Sequence, residues 1–143
     1  MNFIKKNYPI ILILILAFLV RLAMCLKMGD FFFDEMFSFH FSQKGWTEAF
    51  NYWLLETNPP LHMVFEKIWF YIFPANEFWS RFLSVIFGTA SIAFIYLLAK
   101  KIFNYKTALF SALLLAFTPY QIFQSAINRG YSLLILLAII SVY

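Results

Sequence analysis

The sequence predicts an all-α integral membrane protein, a polytopic helical bundle with surface helices in its first outer loop. Three observations carry that prediction. Of 143 residues, 63% are hydrophobic and only 13% are charged, and the mean hydropathy is +0.77. A soluble domain of this length needs far more polar surface to cover its core. Aromatic residues make up 22% of the chain, with 20 Phe, which suits lipid-facing helices and interfacial belts. The charges are also sorted: all seven acidic residues fall between Asp30 and Glu77, whereas Lys and Arg flank the apolar runs. The net charge of +4 therefore reflects topology, and with no basic patch the chain offers no nucleic-acid site.

Crossing the hydrocarbon takes about 20 mostly apolar residues. Residues 9–27 form the first such run, with Lys5 and Lys6 before it. By the positive-inside rule the amino terminus then lies in the cytoplasm and the following loop, residues 28–81, lies outside. A cleaved signal peptide is the alternative for this run, since Leu22-Ala23-Met24-Cys25 loosely resembles a lipoprotein cleavage site. Its apolar core is longer than a usual signal h-region. Arg21, near the outer end, is expected to snorkel to the interface. Cys25 has no partner for an internal disulfide and reads as a small buried hydrophobe.

Residues 82–99 form the second span, between Arg81 outside and Lys100, Lys101 and Lys106 inside. Residues 107–124 return outward as a third, with Pro119 near the outer end. Residues 130–143 begin a fourth. Fourteen residues rise only about 21 Å, short of a hydrocarbon core of about 30 Å. Residues 1–143 therefore read as the amino-terminal part of one longer membrane domain, which three spans and a stub could not complete as a catalyst. In the outer loop, residues 61–73 are apolar but too short to span, and they carry Glu66 and Lys67; the expectation is a helix lying at the interface. Pro59 and Pro60 suit its first turn, and Pro74 follows its end.

Function is set by Phe31-Phe32-Phe33-Asp34-Glu35, two adjacent carboxylates wedged against aromatics at a membrane surface. Ionised groups are costly there and mark substrate, ion or proton sites. Three further features converge on the same side: Asn58-Pro59-Pro60-Leu61-His62, Arg81-Phe82-Leu83-Ser84 and Asn128-Arg129-Gly130-Tyr131. In this order the pattern resembles the amino-terminal part of the GT-C-fold, polyprenyl-phosphate-sugar-dependent glycosyltransferases, relatives of which include the protein O-mannosyltransferases and the bacterial aminoarabinose transferases of lipid A. The resemblance runs from about Arg21 to the end of the chain.

That resemblance implies a membrane glycosyltransferase with its active site on the outer face of the cytoplasmic membrane, taking a sugar from a polyprenyl phosphate to a lipid, glycan or protein acceptor. It puts Asp34 and Glu35 at the catalytic centre, with Asp34 as the base on the acceptor. Arg129 would bind the leaving phosphate, and Asn58, His62 and Tyr131 would line the substrate cavity. Glu35 would orient its neighbour or a loop, or help hold a divalent cation, the one cofactor that the resemblance leaves open.

Two departures stand out. Thr57-Asn58-Pro59 occupies the place of a Glu-Lys-Pro in the aminoarabinose transferases, so no metal site is carried over. Ser125-Ala126-Ile127-Asn128-Arg129 replaces a Ser-Gln-Glu-Ala-Arg run and lacks its carboxylate. Three alternatives account for the loss: Asn128 replaces that group's hydrogen bonding, a residue elsewhere serves instead, or the acceptor differs. His62 and Glu66, four apart, can share a helix face, but two residues do not make a metal site. The plainer readings are loop charges for Asp34 and Glu35, snorkelling anchors for Arg81 and Arg129, and a belt aromatic for Tyr131. A non-enzymatic assembly factor or transporter fragment is the rival from another class, although transporters place their polar sites near the midplane.

Overall fold

The computed structural model describes residues 2–55 and 59–143, with the side chains of all of these except residues 2–6, 53 and 55. The described residues form helices and no strand, in the order α1 (Asn2–Lys27), α2 (Phe33–Gln43), α3 (Trp46–Leu55), α4 (Leu61–Trp69), α5 (Glu77–Ile102), α6 (Tyr105–Phe117), α7 (Pro119–Gln124) and α8 (Tyr131–Val142). Asn7–Lys27 and Glu77–Ile102 are long and apolar enough to cross a membrane. They contain the first two expected spans. Asn76 starts α5 by accepting from the Trp79 N–H at 3.0 Å, and Asn104 starts α6 by accepting from the Thr107 N–H at 3.0 Å.

α5 packs against α1, α6 and α8. Ile10, Ile13 and Ala17 of α1 meet Ile92, Tyr96 and Ala99 of α5 and Ala108, Ala112 and Ala116 of α6. The alanines recur every four residues along one face of α6, and such small side chains let membrane helices approach closely. Leu16, Leu19, Phe110, Leu114 and Leu134 remain exposed, as lipid-facing positions should.

The expected span over residues 107–124 is instead two helices. α6 stops at Phe117 because the residue before a proline is driven out of the helical region, and Thr118 sits at φ −64°, ψ 120°. Pro119 then opens α7 at its first turn, where a missing N–H costs nothing. The broken end leaves carbonyls without partners. Arg21 meets two of them, Nη2 donating to Leu115 O at 3.2 Å and Nη1 to Ala116 O at 2.9 Å, and Thr118 Oγ1 joins its own N–H on Leu114 O at 2.6 Å. Arg21 is therefore fully buried rather than snorkelling, a cation at the negative end of a helix dipole.

α4 also departs from expectation. It covers Leu61–Trp69 and ends before Pro74, but its charged groups do not face water. Glu66 and Lys67 are buried while Leu61, Phe65 and Ile68 are exposed. The helix turns its polar side to the protein and its apolar side outward, the arrangement a hydrocarbon surround favours. The Lys67 ammonium donates to the carbonyls of Ser42 and Lys44 and lies 5.0 Å from the centre of the Trp46 ring. Cys25 is buried and free, packed with Val85 and Ala126, as expected.

At Gly88, α5 touches the turn after α7 so closely that an added Cβ would collide with Ser125 Oγ and Cβ. Gly88→Ala should cost roughly 1–3 kcal/mol of stability by overpacking, and adding Ser125→Gly should recover part of it. Thermal unfolding of the single and double variants in detergent tests this; equal melting temperatures for wild type and Gly88→Ala would refute it.

Candidate functional site

The site forms where the outer end of α1, the start of α2, the head of α5 and the α7–α8 turn meet. Its frame is an ion pair taken wholly out of water: Arg81 and Glu35 have side chains 2% and 1% exposed. Arg81 Nε donates to Glu35 Oε1 at 2.9 Å and Nη2 donates to Oε2 at 2.7 Å, the two-pronged geometry a planar guanidinium favours. The remaining guanidinium protons go to the carbonyls of Gly29, at 2.7 Å, and Asp30, at 3.1 Å. The Phe31 ring lies 5.2 Å from the guanidinium carbon.

Glu35 is as fully occupied as its partner. Its Oε2 accepts from the Phe32 N–H at 3.0 Å, closing the first turn of α2, and its Oε1 accepts from the Asn128 N–H at 2.7 Å. Burial pushes the Glu35 carboxyl up, but Arg81 and the two backbone N–H groups outweigh it and hold the group below the usual range. With both oxygens taken twice, Glu35 has no lone pair to offer a cation or a substrate proton. Of the uses expected for it, orienting the loop is the one its geometry serves.

Asp34, one residue away, points the other way. It is exposed and lines an open cavity of about 490 Å³ together with Phe33, Phe123, Gln124, Arg129 and Tyr131, a cavity that the buried Glu35 also borders, with its carboxylate oxygens already bonded. Adjacent residues on a helix face different directions, so burying Glu35 presents Asp34 to the cavity. Arg129 is tied to the same segment, its Nη1 donating to the Asp34 backbone carbonyl at 3.1 Å. The Arg129 N–H donates to Ile127 O at 2.9 Å, in a tight turn that projects the side chain from the α7–α8 corner.

Arg129 and Tyr131 also border a second cavity, about 160 Å³ and apolar, walled by Met63, Leu133, Leu134 and Leu137 with His62. His62 is buried, and its Nε2 lies 3.4 Å from Ser84 Oγ while Nδ1 has no partner. Burial, and then the charge of Arg129, lower its pKa from 6.5 to about 4, so the imidazole is neutral at physiological pH. Asn58 falls outside the described residues. Tyr131 is partly exposed on the rim of both cavities, compatible with either expectation for it.

Arg81 is the residue that sequence reasoning left out of the site. The signal was present, because a lone arginine at the head of an apolar span needs a counter-charge and the loop before it holds every carboxylate. Asn128 and Glu66 were underrated too. Asn128 is fully buried and does not line the cavity; its side-chain Nδ2 donates to Glu66 Oε1 at 2.6 Å. Among the described residues, no three His, Cys, Asp or Glu side chains gather as a metal site would need.

Residues 57–143 match the family model described as dolichyl-phosphate-mannose-protein mannosyltransferase. The stretch includes His62, Arg81, Asn128, Arg129 and Tyr131, and the Asp34-Glu35 pair lies outside it. No curated protein and no solved structure matches the chain.

Removing one partner of the buried pair leaves the other charged and unpaired, so Arg81→Met should destabilise the protein by roughly 3–5 kcal/mol. Because the folded-state pKa of Glu35 is depressed, its contribution is present above the unfolded value and is lost as pH falls through the lower folded one. Unfolding in detergent across acid pH measures both effects; a wild-type acid limb as steep in Glu35→Gln would refute the second.

Proposed function

Because this chain belongs to the dolichyl-phosphate-mannose-protein mannosyltransferase family, whose members are membrane glycosyltransferases using lipid-linked sugars, we propose that it carries the catalytic corner of such an enzyme. In this reading it takes a sugar from a polyprenyl phosphate to a lipid, glycan or protein acceptor. The corner faces outward from the cytoplasmic membrane, with the amino terminus in the cytoplasm and the chain crossing several times.

The observation that carries the reading is the position of Arg129 and Tyr131 on the walls of both cavities. A polyprenyl phosphosugar is itself two-sided, an apolar chain joined through a phosphate to a polar sugar. The apolar groove beside Leu133, Leu134 and Leu137 suits the first isoprene units, and the open cavity beside Asp34 suits the sugar and acceptor. Arg129, at the boundary, meets the phosphate. Neutral His62 adds a polar group there: if the Ser84 hydroxyl donates to Nε2, Nδ1 carries the proton and becomes a donor.

In the proposed reaction the acceptor oxygen forms a bond to the anomeric carbon as the bond from that carbon to the phosphate oxygen breaks. The acceptor proton passes to the Asp34 carboxylate, and the polyprenyl phosphate leaves with its electron pair. Direct displacement inverts the anomeric centre. Arg129 stabilises the negative charge that grows on the leaving oxygen, an electrostatic contribution strongest where water is excluded. Asp34 must keep an open carboxylate, and the division of labour with Glu35 provides it. The positive charge is assigned to Arg129, and Glu35 is not offered as a ligand for a divalent cation.

Asp34→Asn should lower transfer roughly 10²–10⁴-fold, the usual worth of a general base, without lowering the melting temperature. Arg129→Ala should weaken binding of farnesyl phosphate roughly 10–100-fold, as expected for a charge-assisted contact. Unchanged turnover in the first variant, measured with a radiolabelled polyprenyl phosphosugar on the full protein, would remove the base from Asp34. Equal binding by wild type and the second variant would remove the phosphate from Arg129, and no binding by either would favour a non-enzymatic membrane protein.

A further inference from the structure

Glu66 and Asn128 sit side by side, both fully buried, joined by Asn128 Nδ2 donating to Glu66 Oε1 at 2.6 Å. Each side chain has one other polar atom, and both of those atoms, Glu66 Oε2 and Asn128 Oδ1, lack a hydrogen-bond partner. Two bare acceptors in a dry interior are a costly pair. The cost disappears with a single proton. A neutral carboxylic acid offers one donor and one acceptor, the complement of a primary amide.

We propose that Glu66 is a positioning residue held as the neutral acid, its Oε2–H donating to Asn128 Oδ1 in a closed acid–amide pair that fixes the Asn128–Arg129 turn. The proposal rests on the reading of Arg129 as the phosphate-binding group only for its functional consequence. Asn128 is then gripped twice, by Glu66 through its side chain and by Glu35 through its N–H at 2.7 Å. Arg129 follows directly on that anchored residue, so the proton on Glu66 helps hold the guanidinium over the boundary between the cavities.

The surroundings favour the neutral form. From α2, Glu35 adds negative charge near Glu66, although Arg81 of α5 balances it; Ser42 of α2 and Ser80 of α5 contribute hydroxyls. Those hydroxyls donate to the carbonyls of Phe39, at 2.8 Å, and Asn76, at 2.9 Å, which leaves them poor donors to a carboxylate. On α4 itself, Lys67 gives its ammonium to the Ser42 and Lys44 carbonyls, and His62 is neutral. Arg129 of the α7–α8 turn is directed to the Asp34 carbonyl. The Glu66 carboxyl is raised to about 7, chiefly by burial and further by Glu35, against the Asn128, Ser80 and Ser42 groups, which pull it down. A group raised in the folded state adds stability below its unfolded pKa that is lost as pH rises through the folded one, here between 4.5 and about 7.

The test compares wild type, Glu66→Gln and Glu66→Ala as full-length protein in detergent. Infrared spectra at pH 6 should contain a protonated-carboxyl C=O band that fades as pH rises through about 7 and is missing from Glu66→Gln. Because Gln can keep two bonds to the Asn128 amide, its melting temperature should stay near that of wild type, while Glu66→Ala falls. Farnesyl phosphate binding by wild type should weaken on the order of tenfold relative to Glu66→Gln between pH 6 and pH 8, the worth of about one hydrogen bond. Absence of the band at pH 6, its survival in Glu66→Gln, or equal damage by Gln and Ala would each overturn the proposal. If the band and melting temperatures behave as stated but farnesyl phosphate binds none of the three proteins, the acid–amide pair stands and the phosphate reading of Arg129 fails.

Discussion

The outer half of this protein depends on one buried ion pair. Glu35 and Arg81 lie 46 residues apart, and between them they bind the carbonyls after α1, the first turn of α2, the head of α5 and the α7–α8 turn. Desolvating two charges is expensive, and their mutual attraction rarely repays it in full. What makes the pair sustainable here is complete satisfaction: bonds from four separate stretches of chain meet the donors of the guanidinium and fill the lone pairs of the carboxylate. A pair so completely matched to its surroundings tolerates little rearrangement, so it also sets where each of those stretches can lie.

Function follows from what the pair leaves over. Committing Glu35 to structure turns its neighbour Asp34 toward the open cavity with an unencumbered carboxylate. Placing the Asn128 N–H on Glu35 delivers Arg129 to the same cavity from the far end of the sequence. One structural bond thus sets both poles of the proposed chemistry, a base and a cation, across a space open to solvent and beside an apolar groove.

The rest of the fold is organised by the scarcity of water. Arg21, Glu66 and Lys67 are buried, and leucines, isoleucines and phenylalanines are exposed. This inverts soluble logic, and it follows from a surround in which an unpaired polar group costs more than an exposed apolar one. Arg21 shows the gain. By closing the carbonyls at the end of α6 it permits a helix break at depth in an apolar bundle, and that break lets α7 turn back to present the Asn128–Arg129 corner.

Class and outline were legible in the sequence because they depend on composition and local pattern. Hydropathy marked residues 9–27 and 82–99 as long apolar helices, and Pro59 and Pro60 marked where a helix of the intervening loop begins. Each of these signals acts over a few turns, without reference to distant parts of the chain. The family motifs named Asp34 and Arg129 as candidates, and both line one cavity. Arg81 signalled its need for a counter-charge but not which carboxylate supplies it, and other features were beyond such reading: that Arg21 caps α6, that α4 faces its charges inward and that Asn128 bridges two carboxyl groups. Thr118-Pro119 did carry a local warning that a single span would break there. The sequence by itself determined which segments avoid water and which residues are chemically able to act. Only the tertiary structure decided which of two adjacent carboxylates would be spent on structure and which left open, because that choice rests on partners 46 and 93 residues away.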